Sequence, residues 1–404
     1  MRKIVVRGCA FVAVLFGLSA CDRIMTETPT AGDDFVTPFD GLSHNLNFQF
    51  AVGDENFERA FLPEEGVGPI FNNVSCEGCH PGDGRGSPDL GFFRFSNGAD
   101  LAFDLGGPQH QDKALPGVPL EEIPPGVNLS FRMPPPVFGV GLLESVPEES
   151  ILANEDIDDD DGDMITGRAN WVMAPDYVSA AYVGGGGQGA PVLGRFSRKA
   201  QVSSLLQQVA EAYHGDMGVT SDFIPEENPH PQAGSFAAGD RVADPEIPAS
   251  TVLETVMYVR LLQPPQRGAI NAEVERGEAL FTGANCSGCH IPTLRTGPND
   301  IPQLSEKDVH AYTDLLLHDM GPGLADLRPD GDADGTEWRT APLWGTRLVE
   351  DFLGGEAFYL HDGRANNLDD AILEHGGESQ ASRDAYAGMT PSDQAALIAF
   401  LKSL

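Results

Sequence analysis

The chain has 404 residues and a formal net charge of −36, because 61 acidic side chains stand against 25 basic ones. This length is enough for two domains with substantial cores. Such an acidic protein repels nucleic acid and anionic lipid head groups, so we expect no nucleic-acid partner. The charge favours basic partners such as a small cytochrome, although solubility alone also accounts for it.

Residues 1–20 have the features of a lipoprotein signal peptide. A basic start precedes an apolar stretch that is too short to span a membrane. Leu18-Ser19-Ala20-Cys21 then matches a lipobox, in which Cys21 becomes the lipidated first residue. An ordinary secretory signal with an incidental cysteine is the alternative. We therefore expect a protein at the periplasmic face of a bacterial membrane, held only by the lipid on Cys21, with residues 21–40 as a flexible tether.

Two Cys-x-x-Cys-His motifs follow, one in each half of the chain. In c-type cytochromes the two thiols add to the haem vinyl groups and the adjacent imidazole binds the iron. A structural zinc site would need further ligands nearby, and a redox cysteine pair gives no reason for the trailing histidine. The motifs therefore predict two covalently bound haem c groups, with His80 and His290 as the proximal ligands. The attachment residues are Cys76 and Cys79 for the first haem, and Cys286 and Cys289 for the second.

Helical periodicity recurs between Gly- and Pro-rich loops. Asn271 and Thr390 are expected to cap two of the helices, and consecutive prolines at 264 and 265 end another. The sequence predicts an all-α fold of two cytochrome c-like domains, pseudo-duplicated and with long loop-rich insertions, at residues 41–265 and 266–404. The predicted helices cover residues 55–61, 202–213, 249–262, 272–281, 306–317, 368–375 and 391–404.

Several blocks resemble the di-haem oxidoreductase family, whose members are often labelled thiol oxidoreductases or peroxidases. Examples are Gly215-Asp216-Met217-Gly218 and His361-Asp362-Gly363-Arg364. The resemblance extends over about residues 41–404, and more distantly it implies kinship with bacterial dihaem cytochrome c peroxidases. It implies their fold, in which two all-α cytochrome c domains meet between the haems. The other blocks are residues 134–144, 160–170, 194–196 and 316–322.

The resemblance also implies a sixth ligand for the second haem. His375 stands fourteen residues after His361, at the offset where the peroxidases carry their distal ligand, commonly methionine. Histidine there would give a low-spin haem of low potential, because imidazole does not raise the potential as a thioether does. The alternatives are that His375 only interacts with a helix C-terminus, or that His318 is the ligand.

The first haem has weaker candidates for a sixth ligand, His110 and His214. With neither bound, peroxide could reach the iron. Peroxide cleavage needs a group that moves a proton and a group that stabilises charge. By resemblance to the peroxidases, Glu144 or Glu148 would be the acid–base group, and Arg132 would stabilise charge. Each glutamate could instead be an ordinary acid at a helix N-terminus.

An acidic segment matches the opening of a calcium loop. Asp330, Asp332 and Asp334 place carboxylates at alternate positions, and a glycine follows at the turn. No Glu stands at the twelfth position of the loop, so the EF-hand pattern is incomplete. A calcium site and a solvated acidic turn both fit this segment.

These features predict an exported dihaem c-type oxidoreductase of the cytochrome c peroxidase kind. A soluble cytochrome or cupredoxin would donate electrons at the haem of His290, and the haem of His80 would reduce hydrogen peroxide or a related oxidant. The two haems could also exchange roles. The alternative is a non-enzymatic electron-transfer cytochrome. Thiol oxidation is disfavoured, because the four thiols downstream of Cys21 are committed to haem.

Overall fold

A computed structural model describes residues 34–178, 189–228, 230–233 and 239–404. The predicted signal peptide, Cys21 and most of the predicted tether lie outside these residues. Within the described parts of the chain, no helix combines the length and the apolarity needed to cross a membrane.

The described residues form ten α-helices, short 3₁₀ turns and ten short strands. The helices are α1 (His44–Glu58), α2 (Val140–Glu144), α3 (Glu148–Leu152), α4 (Leu205–Met217), α5 (Ala249–Leu261), α6 (Ala272–Gly283), α7 (Val349–Phe352), α8 (Leu368–Leu373), α9 (Gln380–Ala387) and α10 (Pro391–Leu401). The strands are β1 (Ile70–Phe71), β2 (Phe92–Ser96), β3 (Lys113–Ala114), β4 (Asn128–Arg132), β5 (Trp171–Met173), β6 (Pro191–Leu193), β7 (Leu294–Arg295), β8 (Asp308–Val309), β9 (Leu317–Asp319) and β10 (Glu337–Arg339).

The prediction of an all-α fold is wrong. Only 31% of the described part of the chain is helical and 13% of it is in strand conformation, so the fold is mixed. The strands pair as five antiparallel two-stranded ladders: β1 with β3, β2 with β4, β5 with β6, β7 with β8 and β9 with β10. Most strands have only two or three residues, too few for a period-two pattern to show in the sequence. They fasten the long Gly- and Pro-rich segments that connect the helices.

One predicted helix is replaced by extended chain and turns. Residues 306–317 contain β8 and the first residue of β9. Glu306, Tyr312 and Leu315 have positive φ values, and this left-handed backbone cannot continue a right-handed helix. The leucines that suggested an apolar helix face are fully buried around β9. The other predicted helices are present with shifted ends.

Each Cys-x-x-Cys-His motif follows a helix that packs closely on another helix through a glycine. In the first half Gly53 of α1 lies against α5, where an added Cβ would meet the Glu254 carbonyl oxygen at 2.3 Å. In the second half Gly277 of α6 lies against α10, where a Cβ would meet the Ala396 oxygen at 2.0 Å. The predicted caps Asn271 and Thr390 are confirmed, because their side chains accept backbone N–H bonds at the starts of α6 and α10.

The largest buried apolar cluster extends over both halves of the chain. It joins residues of α1, α4 and α5 with Leu294, Leu316 and Trp344 from beyond the predicted domain boundary. A second cluster, built on Phe281 and Phe400, lies within the second half. The division at residue 265 stays a prediction, and the packed contact between the halves brings the two Cys-x-x-Cys-His motifs to neighbouring cavities.

Candidate haem sites

The second Cys-x-x-Cys-His motif lies in the wall of a large cavity, the C-terminal cavity. Helix α6 ends at Gly283, and Asn285 turns the chain in the left-handed region before a 3₁₀ turn at Cys286–Gly288. This turn presents Cys286, Cys289 and His290 to a space of about 1530 Å³, measured with its opening to solvent. Protein interiors are normally close-packed, so a cavity of this size beside a cysteine pair indicates room for a large cofactor.

His290 is oriented as an iron ligand requires. Its Nδ1 donates a hydrogen bond to the Tyr312 carbonyl oxygen at 2.9 Å, which fixes the tautomer with a lone pair on Nε2. Burial lowers the pKa of His290 to about 4, and repulsion from the His375 ring acts in the same direction. The imidazole is therefore neutral at pH 7 and able to bind a metal.

His375 lines the same cavity and is held in the same way. Its Nδ1 donates to the Ala371 carbonyl oxygen of α8 at 2.8 Å, and burial lowers its pKa. Its Nε2 carries the free lone pair. The structure therefore brings His290 and His375 together as two neutral imidazoles, each anchored through Nδ1 to the backbone.

Two other histidines of this cavity have other partners. His318 bonds through Nδ1 to Glu378 and through Nε2 to Asp314, at 2.9 Å each. Burial opposes its protonation, but these carboxylates raise the pKa of His318 well above the usual value. It is therefore a buried cation without a free lone pair, and the alternative that it binds iron is disfavoured. His361 is stacked on Trp338, with ring centroids 3.7 Å apart.

The first motif lines a second cavity of about 1750 Å³, the N-terminal cavity. Cys76, Cys79 and His80 face it, and burial lowers the pKa of His80 to about 4 despite nearby backbone groups. Among the described residues that line this cavity, His80 is the only histidine. His110 and His214 lie elsewhere, with Nε2 of each at 3.0 Å from a backbone oxygen.

The donor set of both cavities fits haem c. The thiols of Cys76, Cys79, Cys286 and Cys289 are free of disulfides. Burial raises the pKa of Cys79 and of Cys286 to about 11, so these thiols are neutral beside their cavities. Each pair is followed by a neutral imidazole, which is the combination that covalent haem attachment uses.

The predicted acid–base glutamates do not face the N-terminal cavity. Glu144 pairs with Arg260 at 2.8 Å and accepts from the Leu205 N–H at the start of α4. Glu148 begins α3 and does not line either cavity. Glu148 is thus an acid in the first turn of α3, the alternative that the sequence left open, whereas Glu144 ends α2 and accepts from the first N–H of α4.

Arg132 borders the N-terminal cavity, and Nε and Nη2 of its guanidinium are engaged by Ser130 and by two aspartates. It contacts Asp330 and lies 3.3 Å from Asp326, both buried. Burial opposes the ionisation of Asp330, yet Arg132, Arg94 and Arg328 hold its pKa well below the usual range. This carboxylate is therefore a structural counter-ion.

The predicted calcium residues do not converge on one point. Asp330 points inward to arginines, and Asp334 accepts the Thr336 and Glu337 N–H groups of its own turn. Asp332 is exposed. Asp330 therefore cannot share a calcium ion with Asp332 and Asp334. The acidic segment is a turn that precedes β10.

The N-terminal cavity contains polar residues to which the sequence gave no functional role. Asp216, Glu211, Arg94 and Gln109 line it. Burial raises the pKa of Asp216 to about 6, although Gln109 donates to it at 2.7 Å and Arg94 lies near. Asp216 belongs to the Gly215–Gly218 block that resembles the family. Gln109 and Arg94 come from distant parts of the chain, so the sequence could not show that they lie beside it.

Comparisons with known proteins agree with the haem assignment. The family model described as "Di-haem oxidoreductase, putative peroxidase" matches residues 20–96 and 121–404. A search of curated proteins finds no match. Two solved structures align with this chain at low similarity. They are hydrazine synthase from Kuenenia stuttgartiensis (15% identity, 100% of each chain, TM-score 0.41) and a MauG-like protein associated with microbial copper homeostasis (14% identity, 92% of each chain, TM-score 0.40).

Proposed function

We propose, since the chain belongs to the di-haem oxidoreductase, putative peroxidase family, that it accepts electrons at the C-terminal cavity and reduces a peroxide at the N-terminal cavity. Each hydrogen peroxide takes up two electrons and two protons and leaves as two waters. The observation that carries this proposal is the unequal supply of histidine. His290 and His375 both offer Nε2 to the C-terminal cavity. His80 is the only histidine among the described residues that line the N-terminal cavity.

The two ligand sets suit different tasks. Haem, when bound, supplies an iron that changes its oxidation state by one electron at a potential set by its axial ligands. His290 and His375 together would hold the iron of one haem, and this arrangement suits electron entry and excludes an oxidant. His80 would hold the iron of the other haem and leave room in the N-terminal cavity for the substrate.

Asp216 is our candidate for the proton-transfer group. It is buried in the N-terminal cavity, and its raised pKa of about 6 lets it both accept and release a proton near neutral pH. Gln109 holds the carboxylate through a bond of 2.7 Å. Arg94, also in the wall, lies 3.8 Å from Asp330, farther than the direct contact made by Arg132, and would provide positive charge for the oxygen that leaves.

Electron paramagnetic resonance of the oxidised, haem-loaded protein tests the unequal ligand sets. We expect one low-spin and one high-spin ferric signal, and the high-spin signal should disappear when peroxide is added to the half-reduced protein. His375→Ala should convert the low-spin signal to high-spin. His310→Ala is the matched control, because His310 is exposed and bonds to Thr293, and its spectrum should match the parent.

Two low-spin signals that peroxide leaves unchanged would overturn the proposal. They would favour the second candidate function, a cytochrome that only passes electrons between soluble donor and acceptor proteins. A low-spin signal that persists in His375→Ala would instead show that another residue completes the C-terminal site.

A further inference from the structure

Three arginines lie where the two haem cavities meet. Arg85, Arg198 and Arg339 line both cavities, together with Ala341 and Pro342. They come from separate segments, since Arg85 follows the first haem motif, Arg198 precedes α4 and Arg339 ends β10. We call these three residues the arginine seam.

The hydrogen bonds of the arginine seam end on neutral groups. Within the described part of the chain, the hydrogen bonds of its three members go to backbone oxygens, and Nε of Arg85 is buried without an acceptor. The bonds that they do make go to the backbone oxygens of Phe358 (3.0 Å from Arg85), Met133 (2.7 Å from Arg198) and Ser197 (3.0 Å from Arg339).

Other buried cations nearby contact carboxylates directly. Arg132 and Arg328 contact Asp330, and Lys199 contacts Asp326 at 2.7 Å. These cations therefore have carboxylates in direct contact, whereas Asp362 and Asp314 act on Arg198 and Arg339 only from beyond ion-pair distance. Arg198 is buried and Arg85 and Arg339 are half-buried, and charge removed from water without a directly paired counter-ion is unfavourable, so the seam favours an anion from outside the chain.

The electrostatics of the seam agree with a missing anion. Burial lowers the pKa of Arg198 well below the usual value, and repulsion from Arg85 and Arg339 lowers it further. Burial also lowers the pKa of Arg339 to about 10, although Asp314 opposes this shift. Arg198 is thus close enough to Arg85 and Arg339 to be repelled by both, and a shared anion would relieve both the desolvation and the repulsion.

We propose that the arginine seam binds propionate carboxylates of both haems and thereby couples the two haems electrostatically. Haem c carries its propionates on the edge of the ring away from the thioether bonds, and guanidinium forks match carboxylates in a bidentate manner. The inference requires haem in both cavities, but it does not require that peroxide is the substrate.

Removal of one seam charge should change the reduction potentials of both haems. Positive charge near an iron favours the reduced state, so Arg198→Gln should shift both midpoint potentials to more negative values in a spectroelectrochemical titration of the full, haem-loaded protein. Arg198→Lys keeps the charge and should restore most of the shift. Arg295→Gln is the matched control, because Arg295 is exposed and pairs with Asp308, and it should leave both potentials unchanged.

A shift confined to one haem, or no shift at either, would overturn the shared site. Haem c is attached covalently, so loss of a propionate contact does not release it. The midpoint potentials of both haems can therefore still be measured in the variants. Arg85→Gln and Arg339→Gln repeat the test at the other two members, and each should move both potentials in the same direction. Peroxide turnover is not needed for either outcome.

Discussion

At the scale of single residues, the two cavities differ in the chemistry that their walls supply. The C-terminal cavity has His290 and His375, whose Nδ1 atoms are tied to backbone oxygens. The N-terminal cavity has the buried carboxylate of Asp216, held by Gln109. Imidazole pairs suit electron transfer, whereas a carboxylate with a pKa near neutrality suits proton transfer. The residue inventory thus supports the proposed division between electron entry and substrate chemistry.

Replacement of Asp216 by asparagine should slow peroxide reduction. The side-chain amide of the variant cannot carry the proton between the peroxide oxygens, so kcat/KM for peroxide should fall by about 10²- to 10⁴-fold. In the parent protein the carboxylate is the proton-accepting form, and its pKa is about 6. The parent kcat/KM should therefore decline as the pH falls below about 6. The pH profile of Asp216→Asn should lack this acid limb, that is, the decline below about pH 6.

Two controls separate this role from a general effect of charge. Asp104→Asn removes an exposed carboxylate and should leave both rate and pH profile unchanged. Glu211→Gln removes the second carboxylate of the same wall. A pH limb that survives in Asp216→Asn but disappears in Glu211→Gln would transfer the role to Glu211.

At the scale of elements, the turn after His375 is fastened to the hairpin of β9 and β10. Glu378 lies in the 3₁₀ turn between α8 and α9, and it bonds to His318 of β9 at 2.9 Å and to the Thr166 hydroxyl at 2.6 Å. This contact holds the segment that carries His375 against the rest of the C-terminal cavity. Glu378 and His318 therefore act as positioning residues for His375.

Substitution of Glu378 by glutamine should destabilise the protein and change its pH dependence. Burial opposes ionisation of Glu378, but His318 and Thr166 lower its pKa to about 2. A depressed carboxyl pKa adds stability that is present above the unfolded value of about 4.3 and is lost as the pH falls toward 2. His318 has a raised pKa, so its contribution is full below about pH 6.5 and is lost only as the pH rises through that raised value.

Thermal unfolding between pH 2 and pH 8 measures this contribution. Glu378→Gln leaves a buried imidazolium with one carboxylate fewer, so the free energy of unfolding at pH 7 should drop by on the order of 3 kcal/mol. The matched control Glu350→Gln breaks an exposed pair with Lys402 and should cost about 0.5 kcal/mol. Equal losses in the two variants would contradict the positioning role.

The sequence predicted best those features that chemistry confines to neighbouring residues. Haem attachment needs two thiols and an imidazole within five positions, and a helix cap needs one side chain beside its own turn, as at Asn271 and Thr390. The strands were missed because two or three residues carry no visible period. Asp216 was missed because its raised pKa comes from burial, which only the fold creates, and because its partner Gln109 lies 107 residues earlier in the chain.

At the scale of the whole molecule, the formal charge of −36 is the dominant long-range feature. A field of this sign attracts basic proteins and can raise their association rates by about 10- to 10³-fold at low salt. Salt shortens the range of this attraction, because the Debye length falls from about 30 Å at 0.01 M to about 8 Å at 0.15 M ionic strength. We therefore propose that the electron donor is a small basic cytochrome or cupredoxin.

This donor proposal predicts a strong dependence of peroxide turnover on ionic strength. With a basic cytochrome as donor, kcat/KM for the donor should fall by at least about tenfold between 0.01 M and 0.15 M salt, because screening removes the attraction. An acidic cytochrome of similar potential should react more slowly at low salt and gain speed as salt is added. An uncharged quinol donor is the control and should show no salt dependence. If the basic and acidic cytochromes respond to salt alike, docking does not depend on the net charge, and an apolar patch must then recognise the donor.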